Sequence, residues 1–152
     1  IMEGRINFRN EYLPDPVQAH TNPYACVELA IGNLIDLAHG NATAKGWWEL
    51  SDRLEQAVAL DPELAEFTQV TLISSKLDLM HSELAEATEG IRHGNGPSGH
   101  IPAFSCLEEE LADVFIRGFD LAGKYKLRLA LAIIAKMKFN ASRSVRHGGK
   151  KI

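Results

Sequence analysis

Apolar residues recur along almost the whole chain at three- and four-residue spacing, the period of helices that each bury one stripe. The alternation that marks strands is missing. The first stretch runs through Val27, Ala30, Ile31, Leu34 and Leu37 to His39-Gly40, with Pro23 at its first position behind a capping Thr21 or Asn22. A loop from Gly40 to Gly46 leads to a second helix from Trp47 to about Ala59. Asp61-Pro62 caps the next, which extends to about Ile91 as one long helix or as two with a break near Ser74-Ser75. Residues 92–103, with Gly94, Gly96, Pro97, Gly99 and Pro102, read as a flexible loop. Ser105 starts a fourth helix that runs to about Leu121 and stops at Gly123. A last helix spans Leu127 to Arg146, ahead of Gly148-Gly149.

Helices joined by short connections must bury their stripes against one another, so the pattern predicts an all-α helical bundle of four to five helices. Residues 1–20, with Pro14 and Pro16 and little periodicity, read as an N-terminal arm; residues 21–147 form the helical domain and 148–152 a flexible basic tail. At 152 residues and 45% hydrophobic content the chain suits one domain with a real core. No run approaches the roughly 18 consecutive apolar residues of a membrane span, and the first residues are unlike a signal peptide. A soluble, cytoplasmic protein is the expectation. Cys26 and Cys106 form no metal or disulfide pattern and read as small core residues.

The formal net charge of −4 hides a polarity along the chain. All 20 acidic residues lie at or before Asp120, whereas residues 121–152 carry nine Lys or Arg and no carboxylate. That segment is either a solvated basic tail or a cationic surface for anionic oxygens such as phosphates. Nucleic acid is not the expected partner.

Glu83 and Glu86 are three apart on one helix, and Glu110 and Asp113 are three apart on another, so each pair shares a helical face. Two such helices packed antiparallel present four oxygen donors to one space, which suits Mg²⁺, with Mn²⁺ as the alternative. Leu72 and Leu79 share the side of Glu83 and Glu86, outside the main stripe of Ile73, Leu77, Met80, Leu84 and Ile91, so that acidic side is expected to be covered. Glu110 lies at the edge of the stripe Leu107, Leu111, Val114, Phe115 and Gly118 and should be half-buried; Glu108 and Glu109 should face solvent. No His follows any of these carboxylates by three, which removes a di-iron site, and His81 reads as a hydrogen-bonded core histidine. Either Glu83 or Glu86 can serve as general base, and the sequence does not rank them.

Lys136, Asn140 and Arg143 recur at i, i+4 and i+7 of the last helix and share one face that suits phosphate or sugar. Lys76, seven residues before Glu83, either reaches a phosphate or pairs with that carboxylate. Trp47 and Trp48 point about 100° apart on a helix. Either ring can stack on a base or anchor the core.

The segment from Lys76 to Arg143 resembles the MazG-like, all-α nucleoside triphosphate pyrophosphohydrolases, whose signature is Glu-x-x-Glu, a variable gap, then Glu-x-x-Asp. Here Ser82-Glu83-Leu84-Ala85-Glu86-Ala87 is followed, after 23 residues between Glu86 and Glu110, by Glu110-Leu111-Ala112-Asp113. Lys136, Phe139, Asn140 and Arg143 match a further helix of that family, and Gly46-Trp47-Trp48 resembles its upstream glycine-aromatic step. The resemblance implies Mg²⁺ held by the four carboxylates, cleavage of a nucleoside triphosphate to monophosphate and pyrophosphate, and deoxynucleotides as substrates. It also implies homodimers or homotetramers with sites near subunit interfaces. The alternatives are a related helical hydrolase of dUTP or phosphoribosyl-ATP, and a non-enzymatic helical module whose basic last helix binds a nucleic acid or an acidic partner.

Overall fold

The computed structural model describes residues 23–143. The arm, the tail and the capping Thr21 or Asn22 lie outside the described residues, while the last helix ends at Ser142, with Arg143 extended, short of the expected Arg146. Five helices form: α1 (Pro23–Ala44), α2 (Glu49–Val58), α3 (Pro62–Arg92), α4 (Cys106–Lys124) and α5 (Leu129–Ser142). No helix among the described residues is long and apolar enough to cross a membrane.

The starts of α3 and α4 follow from local chemistry. Asp61 accepts hydrogen bonds from the backbone N–H groups of Glu63 and Leu64, and Pro62, which lacks an N–H, takes the first helical position. At α4 the Ser105 hydroxyl accepts from Glu108 N while Glu108 Oε2 accepts from Ser105 N at 2.8 Å, a reciprocal capping box. α3 is one unbroken helix, so Ser74-Ser75 causes no break. α1 continues through Gly40 to Ala44 and ends where Gly46 turns left-handed at φ 75°. The expected loop from Gly40 is thus mostly helix. The connection from α3 to α4 is tied down rather than loose. Asn95 Oδ1 accepts from Leu107 N at 2.9 Å, Cys106 N donates to Gly96 O, and the buried Ser98 hydroxyl accepts from His100 N and Ile101 N.

The main packing contacts form a linear succession, α2 on α3, α3 on α4, α4 on α1 and α1 on α5, with α4 at the centre. Two close approaches fix this arrangement. A Cβ on Gly90 would lie 2.9 Å from Cys106 Cβ, closing the α3–α4 hairpin. A Cβ on Gly123 would lie 2.4 Å from His39 Cβ, so α1 meets α4 there backbone to side chain. Gly123 is therefore a helix-packing residue inside α4 and not its stop.

A small core gathers around Trp48, Leu121 and Tyr125, with Ala42 and Ile73 against it. Trp48 is 2% exposed; Tyr125 meets it edge-on at 6.1 Å and His39 at 6.0 Å. Asp120 Oδ1 accepts from Trp48 Nε1 at 2.7 Å and bonds His39 Nδ1 at 2.8 Å. Lys124 pairs with Asp52 and, at 3.2 Å, with Glu55, which also accepts from the Tyr125 hydroxyl, so α2 is held to the end of α4 by charge.

The inner side of α3 is not the stripe expected from its leucines. Of that stripe Ile73 and Met80 are enclosed, in a row with Lys76, Glu83, Ala87 and Gly90 spaced alternately three and four apart, while Leu77, Leu84 and Ile91 are exposed. On α4, Leu111 and Phe115 are likewise exposed while Glu110, Asp113 and Arg117 are half-buried. Cys26 is exposed and not in the core, and His81, whose side chain is 75% exposed, faces solvent beside Asp78.

Candidate metal centre

The antiparallel α3–α4 pair is braced by Gly90 against Cys106 near one end and by Gly118 against Met80 farther along. Between these points Glu83 of α3 faces Glu110 and Asp113 of α4. One carboxylate oxygen from each of the three lies within 4.8 Å of the others. Glu83 is 6% exposed, and the two α4 residues are half-buried.

Like charges brought this close raise the cost of ionisation. The Glu110 carboxyl is pushed up to about 7, first by burial, then by a hydrogen bond with Glu83 and the charges of Glu86 and Glu83. Burial and the charge of Glu83 also raise Asp113, against an opposing pull from Arg117. Three oxygen donors with negative charge that nearby cations only partly offset are the chemistry that a hard divalent cation satisfies, so the residues fit such an ion.

Glu86 stands at the margin of this cluster. It is exposed, accepts from the Ser82 hydroxyl at 3.2 Å, and acts on Glu110 through its charge. The structure thus brings together three of the four sequence-derived ligands and leaves the fourth beside them.

The other sequence-derived residues lie apart from the cluster. Lys76 Nζ sits 4.3 Å from the centre of the Trp48 ring, a cation–π contact, so Lys76 pairs with neither Glu83 nor Glu86. Trp48, enclosed by that lysine, Tyr125 and His39, is a core anchor and leaves the base-binding pair. Trp47 is 62% exposed and keeps an open ring. Lys136 and Asn140 are exposed on α5, which packs on α1, whereas the exposed Arg143 follows the end of that helix with extended backbone and does not continue their helical face; Lys136 and Arg143 gather over the Phe139 ring at 4.9 and 5.9 Å.

The cations that act on the cluster are ones the sequence reading passed over. Arg117 Nη2 lies 2.5 Å from Glu83 Oε1. Its position four after Asp113 and seven after Glu110 is the signal that would have found it. His100, on the α3–α4 connection, bonds Glu109 Oε1 at 2.8 Å, and Glu109 is half-buried, not solvent-facing as expected. Hydrogen bonds from Ser98 and His100 hold the Glu109 carboxyl below its usual range. Glu108 is exposed and spent on the capping box.

Compared with known proteins, the chain matches no family, no curated protein and no solved structure at a significant level. The MazG-like resemblance therefore rests on the residues themselves.

Proposed function

We propose that this protein is a Mg²⁺-dependent nucleoside triphosphate pyrophosphohydrolase, acting on deoxynucleotides and releasing monophosphate and pyrophosphate. The observation that carries the reading is the convergence of Glu83, Glu110 and Asp113 in an interhelical seam where leucines would otherwise pack. When bound there, Mg²⁺ neutralises phosphate oxygens and acidifies a coordinated water. Glu83, Glu110 and Asp113 would hold it. Glu86, open to solvent at the margin, is the better placed of the two candidate bases, since Glu83 would be taken up by the metal.

Lys136, Asn140 and Arg143, which lie apart from the cluster of their own chain, would supply phosphate contacts to the site of a second copy, and Trp47 would stack on the base at a contribution of about 1–3 kcal/mol. The exposed apolar residues Leu77, Leu84, Ile91, Leu111 and Phe115 are the surface that a second copy covers in a homodimer or homotetramer. A soluble cytoplasmic enzyme is part of the same reading.

The test is incubation of the purified protein with a panel of ribo- and deoxynucleoside triphosphates, with Mg²⁺ or with chelator, and identification of the products. Monophosphate with pyrophosphate, formed only with the metal, supports the reading. Diphosphate with orthophosphate would mean that a different bond is cut. No turnover across the panel would favour a helical binding module.

A further inference from the structure

Arg117 reaches the α3–α4 seam from the same side of α4 as Glu110 and Asp113, and its contact with Glu83 is the shortest ion pair that the carboxylate cluster makes. Glu83 is the most enclosed of the three acids, and an enclosed carboxylate requires a cation or hydrogen-bond donors. Arg117 meets that need incompletely. Its Nε is buried without a hydrogen-bond partner, so the guanidinium is gripped at Nη2 while its Nε–H is unsatisfied. A divalent cation in the cluster draws on the same Glu83 oxygens and repels the guanidinium 2.5 Å away from one of them.

Resting on the reading of this cluster as a metal site, we propose that Arg117 is the resident counter-ion of Glu83: it holds that carboxylate until a divalent cation takes it, and then turns its guanidinium to the anionic phosphate oxygens of the substrate. Arg117 is thus a positioning residue for the empty site and a phosphate-binding residue for the filled one. Metal binding releases the group that the phosphates need, and phosphate binding removes a competitor of the metal. The two affinities therefore reinforce each other reciprocally.

The experiment titrates wild type and Arg117→Gln with Mn²⁺ in the absence of nucleotide, followed by water proton relaxation. The variant is expected to bind Mn²⁺ about tenfold more tightly, because a competing positive charge has gone. In saturating Mn²⁺ it is expected to bind a methylene-bridged triphosphate analogue about tenfold more weakly. Simple structural damage would weaken the metal instead, so unchanged or weaker Mn²⁺ affinity overturns the proposal.

Should the variant not fold, the wild type supplies a second measurement. Phenylglyoxal modification of Arg117, mapped by mass spectrometry, is expected to run several-fold faster in Mg²⁺ than in chelator. An equal or slower rate overturns the proposal. A wild-type protein that binds no Mn²⁺ sinks the metal-site reading itself, and this shows in the first titration, before any variant is compared.

Discussion

A single oxygen of Asp120 binds both Trp48 Nε1, at 2.7 Å, and His39 Nδ1, at 2.8 Å, and so joins α1, the start of α2 and α4 at one atom. Removing that carboxylate strands a buried indole N–H. Asp120→Ala is expected to cost about 2–4 kcal/mol, two lost hydrogen bonds to a charged acceptor at roughly 1–3 kcal/mol each with partial compensation by water. Asp120→Asn keeps an oxygen acceptor and should cost less than half as much. Urea unfolding of the two variants measures the difference, and equal losses would show that the charge and not the acceptor matters.

Two glycines of identical intrinsic helix propensity should respond with opposite signs to the same substitution. Gly123→Ala drives a methyl group into His39 and is expected to cost about 1–3 kcal/mol or more. Gly40→Ala, in α1 with nothing within 4 Å of the added carbon, should stabilise by about 0.5–1 kcal/mol through reduced unfolded-state entropy. Thermal melts of both variants check the pair.

The cluster should make the ion-free protein more stable in mild acid than at neutral pH. In the unfolded chain Glu110 titrates near 4.5, whereas in the folded chain its carboxyl is pushed up to about 7. Between those values the folded state keeps a proton that the unfolded state has released, so stability falls as pH rises through the window. The raised Asp113 carboxyl acts in the same direction, while the lowered Glu108 and Glu109 carboxyls add stability that is lost only in stronger acid. In chelator the melting temperature is expected to decline from about pH 5 to about pH 7.5, and Glu110→Gln should flatten that decline. Divalent cation affinity should move the other way, rising up to about pH 7 as the ligands lose their protons.

Glu83→Gln and Glu110→Gln make the same chemical change across one seam but should have different effects on the empty protein. Glu83→Gln takes the partner from Arg117 and is expected to destabilise by about 1–3 kcal/mol. Glu110→Gln relieves crowding and should leave stability unchanged or raise it by up to about 1 kcal/mol. Both should abolish Mn²⁺ binding and Mg²⁺-dependent turnover. Chelator melts followed by Mn²⁺ titration separate the two effects, and a variant that retains metal binding would remove its residue from the ligand set.

The helix starts were legible because their causes are local: Asp61-Pro62 and Ser105 act on backbone groups two or three residues away. The paired acids were legible for the same reason, as a spacing on one face. Orientation was not. The apolar stripe of α3 reads as Ile73, Leu77, Met80, Leu84 and Ile91, but its inner face keeps Ile73 and Met80 and replaces the other three with Lys76, Glu83 and Ala87, a rotation that hydrophobicity alone does not select. What selects it lies on α4, in Gly118 opposite Met80 and Arg117 opposite Glu83, and no local pattern on α3 encodes it. Gly123 shows the same limit, since a glycine that ends a helix and one that lets another helix approach look alike in sequence. Trp47 and Trp48 divide for a tertiary reason too: Asp120, 72 positions from Trp48, decides which ring turns inward.

The three carboxylates and the arginine that accompanies them come from one helical hairpin, between Glu83 and Arg117, closed by the tied connection after Arg92. Contacts so near in sequence cost little loop-closure entropy and form early in folding. Docking of α1 on α4, where His39 meets Gly123, closes a much longer loop. A divalent cation held by those carboxylates would therefore tie α3 to α4 within one hairpin and leave the docking of α1 and α5 to their own contacts.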